Sequence, residues 1–215
     1  MLRILPFIVP AQPSLRARPP VGDAWLHEVK FDGYRCQLHK AGKDVVIFSR
    51  NGREFTERFP GIRDAVLTLP CRSAIIDGEV VVCNEDGTPN FRRLHFRRYA
   101  DQTLCVWAFD VMELNGADLR PLPLTARKQK LGALLRRHDN PCVRYSEPFK
   151  DGEQLLAECG PRGLEGIVSK RKQAPYRSGK CDWVKVKCAQ WKKDNQDRGD
   201  LFMLGANGRV GYRSR

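Results

Sequence analysis

The chain's 215 residues suffice for one domain with a short appendage, and 41% apolar with 9% aromatic residues is an ordinary globular composition. No apolar run reaches membrane-spanning length, and eight cysteines with neither a CxxC pair nor a secretory signal read as reduced thiols rather than disulfides or zinc ligands. A net charge of +13 points to a polyanionic partner, because each phosphate neutralised by a cation releases counterions.

The start, MLRILPFIVPAQP, has an arginine and an apolar stretch, but Pro6 and Pro10 interrupt it and no small-residue cleavage site follows. Residues 1–23 are expected to form an extended, proline-rich arm lying across the domain. Strand patterning begins at Ala24 with AWLHEV, YRCQLHK and DVVIFSR, the last two joined by AGKD as a glycine-containing hairpin turn. FPGIRDAVLTL predicts a short helix after Pro60, SAIIDGEVVVC a strand broken at Asp77-Gly78, and TLCVWAFDVMEL a buried strand. Leu124, Leu131, Leu134 and Leu135 have helical spacing, with Thr125 as the expected cap. DGEQLLAECG reads as a second helix ended by Gly160, and LEGIVSKRK and DWVKVKC as the last strands. This mixture predicts an α+β fold with largely antiparallel sheets. After Cys188 the texture turns polar: AQWKKDNQDRGDLF is expected to form one helix and the remainder a loose tail.

The charges embedded in these strands carry the chemistry. HEVKFDGYR places Lys30 between apolar Val29 and Phe31, which are expected to pack behind it, and Asp32-Gly33 turns the chain so that Lys30 stands at a rim. A snorkelling lysine is the plainer reading of KFDG taken alone. A nucleophilic lysine is the sharper one, and it needs help. With an ordinary pKa of about 10.4, only about one molecule in two thousand is neutral at pH 7. Desolvation, like charge from Lys185 and Lys187 in WVKVK, or a metal held by acidic residues would each favour the neutral amine. Arg50 ends a strand before an Asn-Gly turn and is well placed for phosphate or ribose. Glu79 lies in an apolar strand, where an uncompensated carboxylate is costly. Phe109 and Asp110 end a buried strand, and Glu165 precedes Val168, Ser169 and Lys170.

In order, these segments are KxDG-R (30–35), SRNG (49–52), DGE (77–79), FD (109–110), EG-V-K (165–170) and WVKVK (183–187). The series resembles the covalent nucleotidyltransferases, specifically the adenylation domain of ATP-dependent DNA ligases. It is most similar to the ligase domain of bacterial non-homologous end-joining ligases. The resemblance runs over roughly residues 4 to 188 and includes LPFIVP and GADLRPLPLTARKQKL.

The resemblance implies that Lys30 attacks the α-phosphorus of ATP, giving a lysyl-AMP intermediate. AMP then passes to a DNA 5′-phosphate for strand joining in repair. By the same match Glu28 reads the adenine amino group, Phe109 stacks on the base, and Lys170 contacts the phosphate or the nucleotide edge. Arg35 and Glu79 take ribose and metal contacts, Arg50 a phosphate, and Lys185 and Lys187 the α-phosphate. Glu165 is the implied ligand of magnesium or manganese, with Asp32 and Glu79 beside it. The implied partner is nicked or broken duplex DNA bound by a monomer in the bacterial cytoplasm at the nucleoid, with no membrane contact. The implied domains are an arm (1–23), an adenylation domain (24–188) and a C-terminal helix and tail (189–215) without the OB-fold that ligases normally append. An OB-fold from a separate protein, or an end-joining partner, is then the expected helper, and Lys192, Lys193 and Arg198 are candidates for orienting pyrophosphate by charge alone. Two other readings stay open: a non-sealing accessory module that binds nucleotide and DNA, and a related RNA ligase or capping-type nucleotidyltransferase.

Overall fold

The computed structural model describes residues 3–100, 103–138 and 140–197. In chain order its elements are β1 (Ala11–Leu15), β2 (Trp25–Lys30), β3 (Tyr34–Ala41), β4 (Asp44–Ser49), a 3-10 turn (Thr56–Arg58), α1 (Pro60–Leu67), β5 (Ser73–Val82), α2 (Phe91–His95), β6 (Leu104–Leu114) and β7 (Ala117–Asp118). There follow α3 (Leu124–Arg136), β8 (Val143–Tyr145), α4 (Gly152–Cys159), β9 (Gly166–Arg171), β10 (Gly179–Lys187) and α5 (Ala189–Asp194). They form two sheets. The smaller has the order β1-β10-β9-β2; the larger runs β4-β3-β5-β6-β7, with β8 also paired to β6. Only the β1–β10 and β6–β8 pairs are parallel among these strands, so the expected α+β class with mainly antiparallel sheets holds.

Each sheet buries one face under helices. In the larger, Leu38, Ile47, Ile76, Val80 and Val106 pack with Ile62 and Val66 of α1 and Leu131 and Leu134 of α3. Each such aliphatic side chain contributes roughly 1.5–3 kcal/mol on burial. In the smaller, Ile167, Val184 and Val186 pack with Leu155 and Cys159 of α4 and Trp191 of α5. A third cluster, Ala11, Ile75, Met112, Tyr176 and Trp183, joins strands of both sheets.

Local expectations met three differences. The proline-rich arm is more than an extended strap: Ala11–Leu15 pairs in parallel with β10 and completes the smaller sheet as an edge strand. Asp77-Gly78 does not break β5. The strand runs unbroken, and the irregularity is a slip of register against β6 between those two residues. Thr125 does not cap α3; it lies in the first turn after Pro123. The capping work falls to another chain segment, since the Leu124 and Thr125 amides donate to the carbonyls of Ala174 and Lys172 at 3.0 and 3.1 Å. The other caps follow the sequence signals. Pro60 opens α1, and Asp151 accepts from the Glu153 and Gln154 amides at the start of α4. Gly160 closes α4, and α5 takes up only the first part of the expected C-terminal helix: residues 195–197 form a turn instead, and the rest of that helix, like the expected tail, lies outside the described residues. No described helix is long and apolar enough to cross a membrane.

Candidate active site

Antiparallel register brings the charged residues of β2, β9 and β10 into two rows. Glu28, Val168 and Lys185 stand side by side across the smaller sheet; Lys30, Gly166 and Lys187 form the next row. Because alternate strand residues share a face, all six lie on one side. Val29, Ile167, Val184 and Val186 take the other side and pack under α4 and α5. The spacing of the WVKVK and HEVK segments is thus a binary pattern that buries valines and leaves lysines over the cleft. Gly166 is needed in its row: its φ is +148°, and a Cβ there would lie 2.0 Å from the Val186 carbonyl oxygen. Phe31 departs from expectation. It does not pack behind Lys30, because β2 ends at Lys30 and the alternation stops; it lines the cleft, stacked on Trp107 at 4.4 Å and 7°.

The larger sheet supplies the facing wall. Arg35, Glu79 and Trp107 form one row across β3, β5 and β6. The Asp32-Gly33 turn approaches β5 so closely that a Cβ on Gly33 would sit 2.0 Å from the Val80 oxygen. Ser49, Arg50, Asn51, Arg53, Phe109 and Trp183 also line the cleft. The cleft, open to solvent on one side, has a volume of about 690 Å³, within the range of small-molecule sites.

Charge in this cleft is unevenly balanced. Lys30 Nζ donates to Glu165 Oε2 at 2.7 Å, and Lys187 Nζ lies 2.9 Å from Oε1 and 4.4 Å from the Trp191 ring centre. Burial pushes the Glu165 carboxyl up, but the Lys30 and Lys187 ammoniums outweigh it and hold the group below the usual carboxylate range. The expected surroundings of Lys30 are therefore corrected: its hydrogen-bond partner is an anion, and Lys185 and Lys187 act around that pair. Burial lowers the pKa of Lys185, and like charge from Lys30, Lys187 and Arg50 lowers it further. The Glu79 carboxyl forms no hydrogen bond or ion pair among the described residues. Burial pushes it up to about 7, with Lys30 and Arg35 opposing and Glu165 and Asp32 reinforcing.

At the buried end, both oxygens of Glu28 are engaged. Oε1 is 3.1 Å from both Lys128 Nζ and Lys170 Nζ, and Oε2 accepts from Ser146 Oγ at 2.9 Å. Lys170 lies 4.5 and 4.3 Å from the Phe109 and Trp183 ring centres, and burial, partly offset by Glu28, lowers its pKa. Arg35 is likewise committed. Its Nε and Nη2 donate to the two oxygens of Asp77 at 3.1 and 2.7 Å, and Nη1 donates to the Ala11 carbonyl. Three of its five N–H donors are used, which leaves two for a ligand.

The expected residues Glu28, Lys30, Asp32, Arg35, Arg50, Glu79, Phe109, Glu165, Lys170 and Lys185 all line this cleft, and Lys187 joins it through Glu165. Lys192 and Lys193 are exposed on α5, and Arg198 lies outside the described residues. Sequence reasoning assigned nothing to Trp183, Asp77, Ser146 or Lys128. Lys128 carried a signal, since it sits between Leu124 and Leu131 on the apolar stripe of α3 and is buried. Trp183 carried one too, since it stands two residues before Lys185 in WVKVK and shares its face by strand alternation, whereas Ser146 carried none. Among the described residues no three of His, Cys, Asp or Glu are arranged to enclose a metal. Asp32, Glu79 and Glu165 nevertheless offer the hard oxygen donors that a magnesium-class ion takes, and the unpaired Glu79 carboxyl is one that a cation would stabilise as the anion.

A family model described as the ATP dependent DNA ligase domain matches residues 17–187. The multifunctional non-homologous end joining protein LigD of Pseudomonas aeruginosa is 37% identical over 186 residues, which cover 85% of this chain and 22% of that protein. A probable DNA ligase of Dictyoglomus turgidum is 34% identical over 205 residues, 87% of this chain and 35% of its own. The ligase domain of M. tuberculosis LigD superposes with a TM-score of 0.75 at 28% identity, covering 84% of this chain and 60% of that one. A mycobacterial DNA ligase D complexed with ATP and MES gives a TM-score of 0.74 over the same shares. The chain thus spans about a fifth to a third of the length of these curated relatives.

Proposed function

Since the chain belongs to the family of ATP-dependent DNA ligase domains, we propose that it forms a lysyl-AMP on Lys30 and passes the adenylate to a DNA 5′-phosphate for strand joining. The observation that carries the reading is the position of Lys30: one amine at the centre of a nucleotide-sized cleft, oriented by Glu165, between a base-sized aromatic end and a cationic mouth. The base stacks on Phe109 with Val168 lining the cleft beside it, and its polar edge meets the Glu28–Lys170 pair. Arg35 and Glu79 face the ribose. Arg50 and Lys185 take the phosphates, where a guanidinium fork suits two oxygens at once.

The attacking form of Lys30 is the neutral amine, so a proton and the hydrogen bond to Glu165 are given up before the N–P bond forms. The bond from the α-phosphorus to the bridging oxygen then breaks and pyrophosphate departs. In the next steps the DNA 5′-phosphate displaces Lys30 from AMP, and a 3′-hydroxyl displaces AMP. Positioning and charge neutralisation dominate such transfers. Magnesium or manganese, held by Glu165 with Asp32 and Glu79, would supply charge neutralisation at the phosphates. Residues 24–188 are the proposed adenylation unit, with residues 1–23 as its arm and 189–215 as its C-terminal extension. Nicked or broken duplex DNA in the bacterial cytoplasm is the proposed substrate, and an OB-fold or end-joining protein the proposed partner for sealing. The net charge of +13 supports the polyanionic substrate.

The test is incubation with α-labelled ATP and magnesium followed by denaturing electrophoresis. Label is expected on the native chain, competed poorly by GTP and absent from Lys30→Ala. Label retained by Lys30→Ala, or none on the native chain, overturns the proposal.

A further inference from the structure

A pair of thiols lies outside the nucleotide chemistry. Cys83 follows the last residue of β5 and Cys105 lies near the start of β6, with their Sγ atoms 3.9 Å apart. The register explains the approach. Val81 pairs with Cys105, and the Cys83 amide donates to the Thr103 carbonyl at 3.0 Å, so the two cysteines are diagonal neighbours on one face of the sheet. Glu79 and Trp107 share that face by alternation. Cys105 is buried, whereas Cys83 is only half-buried and opens to solvent. The Cys105 thiol hydrogen-bonds to Cys83 and, against the effect of burial, brings it down to about 7, with the Arg144 cation adding to this; Cys105 is pushed up by the same bond and by burial. Cys83 is thus the more accessible and more acidic thiol of the pair, and Cys105 is the buried one in contact with it.

We propose that Cys83 is a peroxide-reactive thiol that forms an internal disulfide with Cys105. The Cys83 thiolate attacks a peroxide oxygen, the O–O bond breaks, and hydroxide leaves, giving a sulfenic acid at Cys83. Cys105 then loses its proton, its sulfur attacks the Cys83 sulfur, and the S–O bond breaks with release of water. The two thiols surrender two electrons, and one hydrogen peroxide becomes two waters. A diagonal pair sits wider than disulfide geometry favours, so the backbone must draw in. Cys83 is the member placed to supply that movement, since it lies just past the end of β5 and is held by one amide bond to Thr103 and an isolated bridge to Pro89 rather than by a continuous ladder. A bond formed under such strain is readily reduced by thiols.

The full chain is treated with hydrogen peroxide, its remaining thiols are alkylated under denaturing conditions, and its peptides are mapped by mass. A Cys83–Cys105 link lacking two hydrogens, reversed by dithiothreitol, is expected. In Cys105→Ser a cyclic 1,3-dione is expected to trap a sulfenic acid on Cys83, and in Cys83→Ser the Cys105 thiol is expected to stay reduced. Oxidation of other cysteines while Cys83 stays reduced, or a Cys83 bond to Cys142 in the native chain, overturns the assignment.

Discussion

Lys30 ends β2 and Glu165 immediately precedes β9, and the amine and one carboxylate oxygen meet at 2.7 Å while Lys187 holds the other oxygen at 2.9 Å. A single carboxylate thus fixes the orientation of two lysines from two strands. Lys185, one row away, makes no ion pair among the described residues and keeps its donors for a ligand.

Lys185→Ala should slow adenylation about 10²–10³-fold, the usual loss when one donor to a developing oxyanion is removed. Its position over the cleft rather than in a core limits the stability change to about 0.5 kcal/mol. Lys30→Arg should form no adduct at all, because arginine stays protonated. Single-turnover rates beside urea melts check both, and a Lys185 variant that unfolds early would count against a purely electrostatic role.

Glu79 gives a pH signature. Its folded pKa of about 7 lies above the ordinary carboxylate value of 4.5, so the folded state binds more protons than the unfolded chain between those limits. Its contribution to stability therefore falls as pH rises through that window and stays lost above it, by roughly 1–3 kcal/mol. Glu79→Gln should be as stable as the native chain near pH 4.5 and more stable at pH 8. Thermal melts at the two pH values give the comparison; parallel curves would refute the assignment. Magnesium should narrow the gap at pH 8.

Asp110 and Arg127 are both fully buried, joined by two bonds of 2.8 Å. Arg127 also donates to the Leu122 and Ala174 carbonyls, tying α3 to β6 and to the segment before β10. Asp110→Ala should cost about 3–5 kcal/mol, since it strands a buried guanidinium. Replacing both partners by apolar residues should cost less than the single change. Urea midpoints for the two variants decide the matter.

Lys128 and Ser146 hold Glu28 without lying among the expected nucleotide contacts. Lys128→Met removes a charged hydrogen bond behind the base site, typically about 1.5–3 kcal/mol. ATP affinity should therefore fall by about tenfold or more. Calorimetric titration with ATP and GTP measures it; unchanged affinity for both would show that Glu28 needs no support.

Strand alternation was legible in the chain alone. HEVK and WVKVK each set valine against charge with a period of two, and only a sheet with one buried face accommodates that. The order of the segments then marked most of the charged side chains that line the cleft. Pairing was not legible. Nothing local says that Gly166 lies between Lys30 and Lys187, or that residues 172–174 cap α3 in place of Thr125, because register and capping by a distant segment depend on contacts more than twenty residues apart. The same holds for ionic partners. A lysine's identity and spacing set which face it takes, but its neighbour across the cleft depends on how two sheets pack. Lys30 meeting a carboxylate, Arg35 engaged by Asp77 and Glu79 left unpaired were therefore decided by tertiary structure, because Coulomb interactions depend on distance in space rather than along the chain.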